Sequence, residues 1–400
     1  MDFPLDHVRG CFTSLDHADE VYFDGVAAPR ALTAVKAFEE NGFDRDTDSL
    51  LKETRESLAF FLNSNVDWAE EEVWIGPDAG EMTTRLSLAL AAELEPKSEI
   101  LITELEDEKS LAPWLGLDER GMKIVKWPVK RPSAGIDTEA IASFLTDRTR
   151  LVVIAKCSAA VGTVVELLPV ALGVQDHASS LLVNWTSFLP HGAIDVRFLR
   201  ADFVVASTRT FFGSNVGFVW GKRERMKKLR DASPELFEGL EIGAKALAGF
   251  RAALGYVEEL GLLTRDMQLQ PSEDYDRRRH MRRGMQVIRH YERTLTALMM
   301  RRLNGVPGIH VYGIRDDAAA AHRLPHLFFR IEGRAPAQVA AALGEHHIRV
   351  SHGNCGAPRL MKALGLPVDE GAVSATLLHY NSEHDIERFA DALHDIAHEA

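Results

Sequence analysis

Cysteine is nearly absent from this chain of 400 residues. Cys11, Cys157 and Cys355 stand singly, which excludes a disulfide framework or a paired-thiol metal site and suits a reducing cytoplasm. An excess of positive charge is missing as well. With 46 basic against 59 acidic residues and a net charge of −13, the chain lacks the positive field that nucleic acid or an anionic membrane surface requires. Its one basic run, RRRHMRRG from Arg277 to Gly284, reads as a solvated helix face. The opening MDFPLDHVRG carries neither a charged nor an apolar leader region, so nothing there marks the chain for export. The most apolar stretch, Leu151 to Val174, is broken by Lys156 and Glu166 and suits core strands rather than a membrane span. Internal repeats, GxGxxG, GxxxxGK(S/T) and GxSxG are all absent. His346, His347 and His352 lack metal-ligand spacing, so no metal is expected, and the expected ligand is a small molecule.

What is present is a large apolar fraction, 46%, enough for one big α/β domain and a smaller one. Between about residues 70 and 220, short β-branched runs (EVWIG, EILITEL, MKIVKWPV, TRLVVIAK, SLLVNW, ADFVVAS, VGFVWG) alternate with amphipathic segments. That alternation predicts βα units around a mostly parallel sheet. EMTTRLSLALAAEL and DTEAIASFLTD read as helices, the second opened by Asp137 as N-cap. From Pro234 the periodicity becomes long and helical. It then gives way to strand-like GIHVYGI, HLFFRIEG and IRVSHG and a helical tail, which predicts a smaller α+β domain. The expected division is 1–40, 41–284 and 285–400. In such a sheet ligands bind beyond the carboxyl ends of the strands, so the residues that follow each run are the candidates.

Those residues form an ordered series: VWIGPDAGEMTT, ITELEDEKSLAPW, AKCSAAVGTV, LLVNWTSFLPHGAIDV, ADFVVASTRTFFGSNVGFVWG, FEGLEIGAKALAGFRAALGYVEELG, VSHGNCGAPRLMKALGLP and VSATLLHYNSEHDIERF. The series resembles the class V aminotransferase and cysteine desulfurase family of pyridoxal-phosphate (PLP) proteins, and most closely its desulfurase-like branch. The resemblance implies a fold type I α/β large domain, and a small C-terminal α+β domain beside the N-terminal segment 1–40. It also implies a homodimer with its sites at the subunit boundary; a related, lysine-containing subunit is an alternative partner. Pro190, His191, Gly192, Ile194, Asp195, Gly213, Gly217 and His379 to Asn381 match its scaffold positions.

The family's functional positions are altered one after another. Where S-x-H/Y-K-F-F-G carries the lysine that holds PLP as a Schiff base, this chain has Thr210, whose hydroxyl forms no imine. The aspartate that keeps the pyridine nitrogen protonated is Asn184, a neutral amide. The ring-stacking histidine falls at Asp107 and the ring-hydroxyl asparagine at Ala159. In the phosphate cup, Gly80 replaces a threonine, with Asp78 beside it. Glu241 replaces the threonine from the second subunit, while Ser207 is kept. Carboxylates beside a dianionic phosphate repel by several kcal/mol, on the order of 332/(εr) at an effective ε near 20. The carboxylate-clamping arginine matches Ser374.

The expectation is therefore that PLP is absent and that the vestigial site is Asp78, Gly80, Ala159, Ser187 and Ser207. The rebuilt pocket would gather Asp107, Asn184, Arg209, Thr210 and Glu241, with Trp185 and Phe211 as walls. Crowded carboxylates raise one another's pKa values and attract amines, so the expected activity is PLP-independent, on a small amine or amino-acid-derived metabolite, for example in specialised biosynthesis. Two alternatives stay open: a non-catalytic partner of a related PLP enzyme, and a lyase or transferase that holds PLP or pyridoxamine phosphate noncovalently, its phosphate on Ser207 and Arg209. Cys355 falls where one desulfurase subgroup carries its persulfide cysteine, and equally suits an inert buried thiol. Lys156 is the nearest other amine by topology, or a solvated strand-end lysine.

Overall fold

The computed structural model describes residues 3–13, 15, 19–25, 29–40, 45–213, 215–264, 277–315 and 322–398. The chain opens with α1 (Leu5–Gly10), the two-residue strand β1 (Val21–Tyr22), and helices α2 (Thr33–Glu40), α3 (Thr47–Phe61) and α4 (Ala69–Glu72). Strand and helix then alternate through β2 (Val73–Gly76), α5 (Ala79–Ala92), β3 (Glu99–Thr103), α6 (Glu108–Leu115), β4 (Lys123–Trp127), β5 (Thr149–Ala155) and α7 (Leu167–Asp176). The same sheet continues with β6 (Ser180–Asn184), α8 (Val196–Leu199), β7 (Phe203–Ser207), β8 (Gly217–Gly221) and α9 (Arg223–Ala232). Each of the seven β-branched runs read from the sequence is a strand. Long helices α10 (Ala244–Leu263) and α11 (Arg277–Leu303) lead to β9 (Ile309–Tyr312), β10 (His326–Ile331), α12 (Pro336–Glu345) and β11 (Ile348–Arg349). The last elements are β12 (Ser351–Gly353), α13 (Pro358–Leu364), β13 (Ala372–Thr376) and α14 (Glu383–His398).

Two helical expectations are corrected. DTEAIASFLTD forms only a 3-10 turn, Thr138–Ser143, and Asp137 caps nothing because its carboxylate lies 2.7 Å from the Lys130 ammonium. The pattern from residue 235 becomes α10 only at Ala244, since Pro234–Leu236 is a 3-10 turn and Gly239 takes a left-handed φ of 69°.

The large sheet has the order β2-β8-β7-β6-β5-β3-β4 and is parallel except where β8 pairs with β2 and β7. Its central strands are apolar on both faces, as a sheet covered on both sides requires. On one face Val152, Ile154, Val183 and Ala206 pack with α3, α7, α10 and α11. On the other, Ile102, Val153, Leu182 and Val205 pack with α5, α6 and α9. The strand order diverges at β3, which pairs with β4 on one side and β5 on the other. The helix after β3, α6, lies on one face and the helix after β5, α7, on the other. The loops leaving the two strands therefore part, and a crevice opens beyond their carboxyl ends.

The smaller antiparallel sheet, β12-β13-β10-β9, packs on α12, α14 and the second half of α11. β1 pairs with β11, which ties residues 21–22 to this part. Residue 284, at the expected boundary, lies inside α11, which packs on α10 at its start and α14 towards its end. The α10–α11 crossing depends on two glycines. A Cβ at Gly261 would sit 1.9 Å from the His280 carbonyl oxygen, and one at Gly284 would sit 2.1 Å from that of Val257.

A buried polar chain also joins the layers. Glu292 Oε2 of α11 lies 2.8 Å from His191 Nδ1, and His191 Nε2 lies 3.0 Å from His326 Nε2 of β10. Burial pushes the carboxyl well up and both imidazoles well down, so the chain of groups is neutral. No helix among the described residues is long and apolar enough to cross a membrane.

Gly284→Ala should lower unfolding stability by about 1–3 kcal/mol, read as a lower urea midpoint at unchanged slope.

Candidate functional site

The crevice between β3 and β5 holds a narrow recess lined by Leu105, Glu106, Asp107, Ala155, Cys157, Ala159, Asn184 and Ser187. The β3–β5 ladder ends at Ile102 and Val153, which leaves the Ala155 amide without a strand partner on that side. Glu106 supplies one. Its Oε1 accepts from the Ala155 amide at 2.5 Å and its Oε2 from the Thr103 hydroxyl at 2.5 Å. Burial pushes the Glu106 carboxyl up to about 8, against the lowering effect of those two hydrogen bonds. Asp107 follows as the N-cap of α6, with Oδ1 3.0 Å from the Ser110 amide and Oδ2 2.7 Å from its hydroxyl.

Asn184 ends β6, and its Oδ1 accepts from the Thr186 amide at 3.0 Å. That bond turns the chain towards Ser187 and leaves the side-chain NH2 without a partner among the described residues. Thr186 then ties the β7 loop to this turn. Its hydroxyl oxygen accepts from the Ser207 amide at 3.1 Å, and its carbonyl accepts from the Thr210 hydroxyl at 3.4 Å. Ser207 Oγ accepts from the Arg209 amide at 3.2 Å, and the Arg209 side chain is exposed.

Of the residues expected from the sequence, Asp107, Ala159, Asn184 and Ser187 meet at the recess. Ser207, Arg209 and Thr210 stand beside it through Thr186. Asp78 and Gly80 lie at the start of α5, where Asp78 accepts from the Glu81 amide at 3.0 Å; neither lines the recess. Glu241 is exposed ahead of α10, and nothing in this chain brings it to the recess. Trp185 and Phe211 are not walls. Both are buried in the core on the opposite face of the sheet, because the pleat turns Trp185 away from Asn184 and Phe211 packs against Phe61.

The same alternation decides Lys156. Its neighbours Ala155 and Cys157 face the recess, whereas the Lys156 ammonium donates to the Val165 carbonyl at 2.7 Å and sits 5.4 Å from the Phe188 ring centre. No lysine lines the recess. Cys157, which the sequence reading passed over, lines it with a thiol that burial pushes up to about 12. Cys355 is close to the rim: the next carbonyl, Gly356, accepts from the Glu108 amide at 2.8 Å, and burial pushes its thiol up too. Ser374 is buried in β13, paired opposite Phe328 and Ser351. Among the described residues, no group of three or more His, Cys, Asp or Glu gathers in metal-binding fashion.

Because the folded carboxyl of Glu106 holds its proton up to about 8, its contribution to stability is complete below the ordinary carboxylate range and is lost as pH rises towards 8. Unfolding stability of the wild type should therefore fall between pH 5 and 8 by up to about 1.4 kcal/mol per unit from this group. Glu106→Gln, a neutral isostere, should flatten that slope in urea titrations across the range.

Comparison with known proteins places this geometry. The Aminotransferase class-V family model matches residues 33–263 and 279–389. The aminotransferase-like protein FGM3 of Gibberella zeae is 26% identical over 98% of both chains. A probable cysteine desulfurase of Staphylococcus aureus is 24% identical over 85% of this chain and 79% of its own. In structure, apo cysteine desulfurase from Thermococcus onnurineus superposes with a TM-score of 0.83 at 20% identity, covering 100% of this chain and 99% of that one. Another chain of the fold, with a TM-score of 0.75 and 18% identity over 97% of this chain and 99% of its own, is a lysine-to-alanine mutant of C-DES with glycine covalently linked to its PLP cofactor.

The expected absence of PLP is thereby corrected. The match is to a PLP family along most of the chain, and the mutant shows that loss of a lysine and presence of the cofactor coexist on this fold. The chemistry of the lining suits a pyridine ring held noncovalently: the Asn184 amide has a donor to spare, and Ala155, Cys157 and Ala159 are apolar. They offer no amine for a covalent link. By the extent of the matched family model, the chain belongs to the class-V aminotransferase family.

Proposed function

We propose that the chain is an enzyme on the class-V aminotransferase scaffold that takes a small amine or amino-acid-derived substrate into the recess, with PLP held there without a covalent bond to the protein. The observation that carries this reading is the composition of the recess. It has no lysine, an amide donor at the end of β6, and a buried, proton-holding Glu106 next to the helix-capping Asp107.

Each group has a distinct part. Asn184 would donate its amide N–H to a pyridine nitrogen, and Ser207 and Arg209 would meet the phosphate. Asp107 attracts the substrate's ammonium to the mouth of the recess. Glu106, whose carboxyl is pushed up to about 8, keeps a proton at neutral pH on the inner wall, where it can be given up to a group that gains negative charge. When bound, PLP supplies an electron sink for charge on the substrate carbon. A neutral amide at Asn184 stabilises that sink less than a carboxylate would, which favours reactions with modest demand on the ring. A homodimer is part of the proposal: in it the exposed Glu241 would face the second subunit's recess, where its negative charge would weaken the hold on the PLP phosphate while favouring a cationic substrate.

Absorbance between about 300 and 500 nm with added PLP, followed by borohydride and intact mass, tests the reading. Wild type should show a saturable spectral change that dialysis reverses and no reducible mass adduct. Thr210→Lys should gain the adduct. Asn184→Leu should weaken PLP binding by roughly tenfold, the worth of one hydrogen bond. A reducible adduct in wild type, or no spectral change at all, would sink the proposal.

A further inference from the structure

Both walls of the recess lead to one short segment beside the smaller sheet. Ala159 belongs to a hairpin turn between the bridged residues Cys157 and Val164, in which the Ser158 amide donates to the Thr163 carbonyl and the Gly162 amide to the Ser158 carbonyl, each at 3.0 Å. Residues 322–326, which run into β10, lie along that turn. The Leu324 amide donates to the Gly162 carbonyl at 2.7 Å, and the Val164 amide to the His322 carbonyl at 2.9 Å. The approach requires glycine at 162, where φ is 69° and a Cβ would stand 2.9 Å from that of His326. Ser187, on the other wall, shares the 3-10 turn Thr186–His191 with His191, whose ring meets His326 at 3.0 Å.

Arg323 sits inside this junction. It is 1% exposed, and its guanidinium is held by carbonyl oxygens alone: Nη2 donates to Val161 at 3.3 Å and to His326 at 2.5 Å, Nε to Leu324 at 3.4 Å, and Nη1 to Ile314 after β9. Burial without a carboxylate partner is costly, and it pulls the group down to about 10. An apolar side chain would fill the space without that cost. Only the planar fork reaches the turn, the start of β10 and the end of β9 at once. We infer that Arg323 is a positioning residue for the recess: it fixes the turn that carries Ala159 against the start of β10, so that the smaller sheet sets how far the recess opens. The inference rests on the recess being the ligand site, but the hold on its wall does not require PLP.

Labelling of Cys157 by methyl methanethiosulfonate, read at its own peptide by mass spectrometry, tests it without PLP. The thiol lines the recess, is 3% exposed and reacts only when the wall opens. Arg323→Lys keeps the charge and loses the fork. Gly284→Ala, which loosens the α10–α11 contact instead, is the control, compared at urea concentrations that give equal global stability. Cys157 should be labelled roughly tenfold faster or more in Arg323→Lys, as loss of a charge-assisted hydrogen bond implies, and PLP binding should weaken by a similar factor. Equal labelling in the two variants would overturn the inference. A wild type that binds no PLP sinks the earlier reading alone and leaves the labelling to decide this one. If Arg323→Lys does not fold, hydrogen exchange of the wild type decides. The Gly162 amide should then open together with those of Val164 and Leu324, and opening of Gly162 apart from them overturns the inference.

Discussion

The bond between the Ala155 amide and the buried Glu106 carboxyl is the contact on which the site depends. A parallel sheet satisfies its amides by continuing the ladder, and here the ladder between β3 and β5 stops two residues short of Ala155. An unmet buried N–H would destabilise the opening. The carboxyl closes the account from the side, so the two strands can part without leaving an orphan, and the crevice exists because they part. Asp107, one residue on, is freed to start α6, which fixes the rim.

Neighbouring acids thus acquire different chemistry from position alone. Glu106 faces the protein and holds its proton; Asp107 accepts from a helix-terminal amide and a serine hydroxyl. The same economy appears where the layers meet. Glu292, His191 and His326 are joined in a row that burial keeps neutral, and their neutrality allows polar groups inside a dry interface between α11, the β6–α8 connection and the smaller sheet. Close packing elsewhere rests on absent side chains, as at Gly261 and Gly284.

Membership of the class-V aminotransferase family and a threonine at residue 210 are compatible because they act on different links of the chain of cause. The scaffold is specified by many dispersed apolar positions, and Thr210 lies in a turn held by Thr186 whichever side chain projects from it. The scaffold is specified apart from the few side chains in which function resides.

The sequence by itself determined the seven strands, the mostly parallel class of their sheet and the loops that matter, because β-branched runs and the turns after them are local signals. It also placed Asp107, Ala159, Asn184 and Ser187 together, through the order of segments that resemble the family. It did not single out Glu106, since in ELEDEK one acid looks like the next until burial separates them. Nor did it orient Lys156, Trp185 or Phe211, whose side is set by the pleat and by what packs on each face. Asp137 read as a cap because no local pattern reveals that Lys130 will claim its carboxylate. Direction, burial and partnership across the chain are properties of the assembled layers, and only the tertiary structure could decide them.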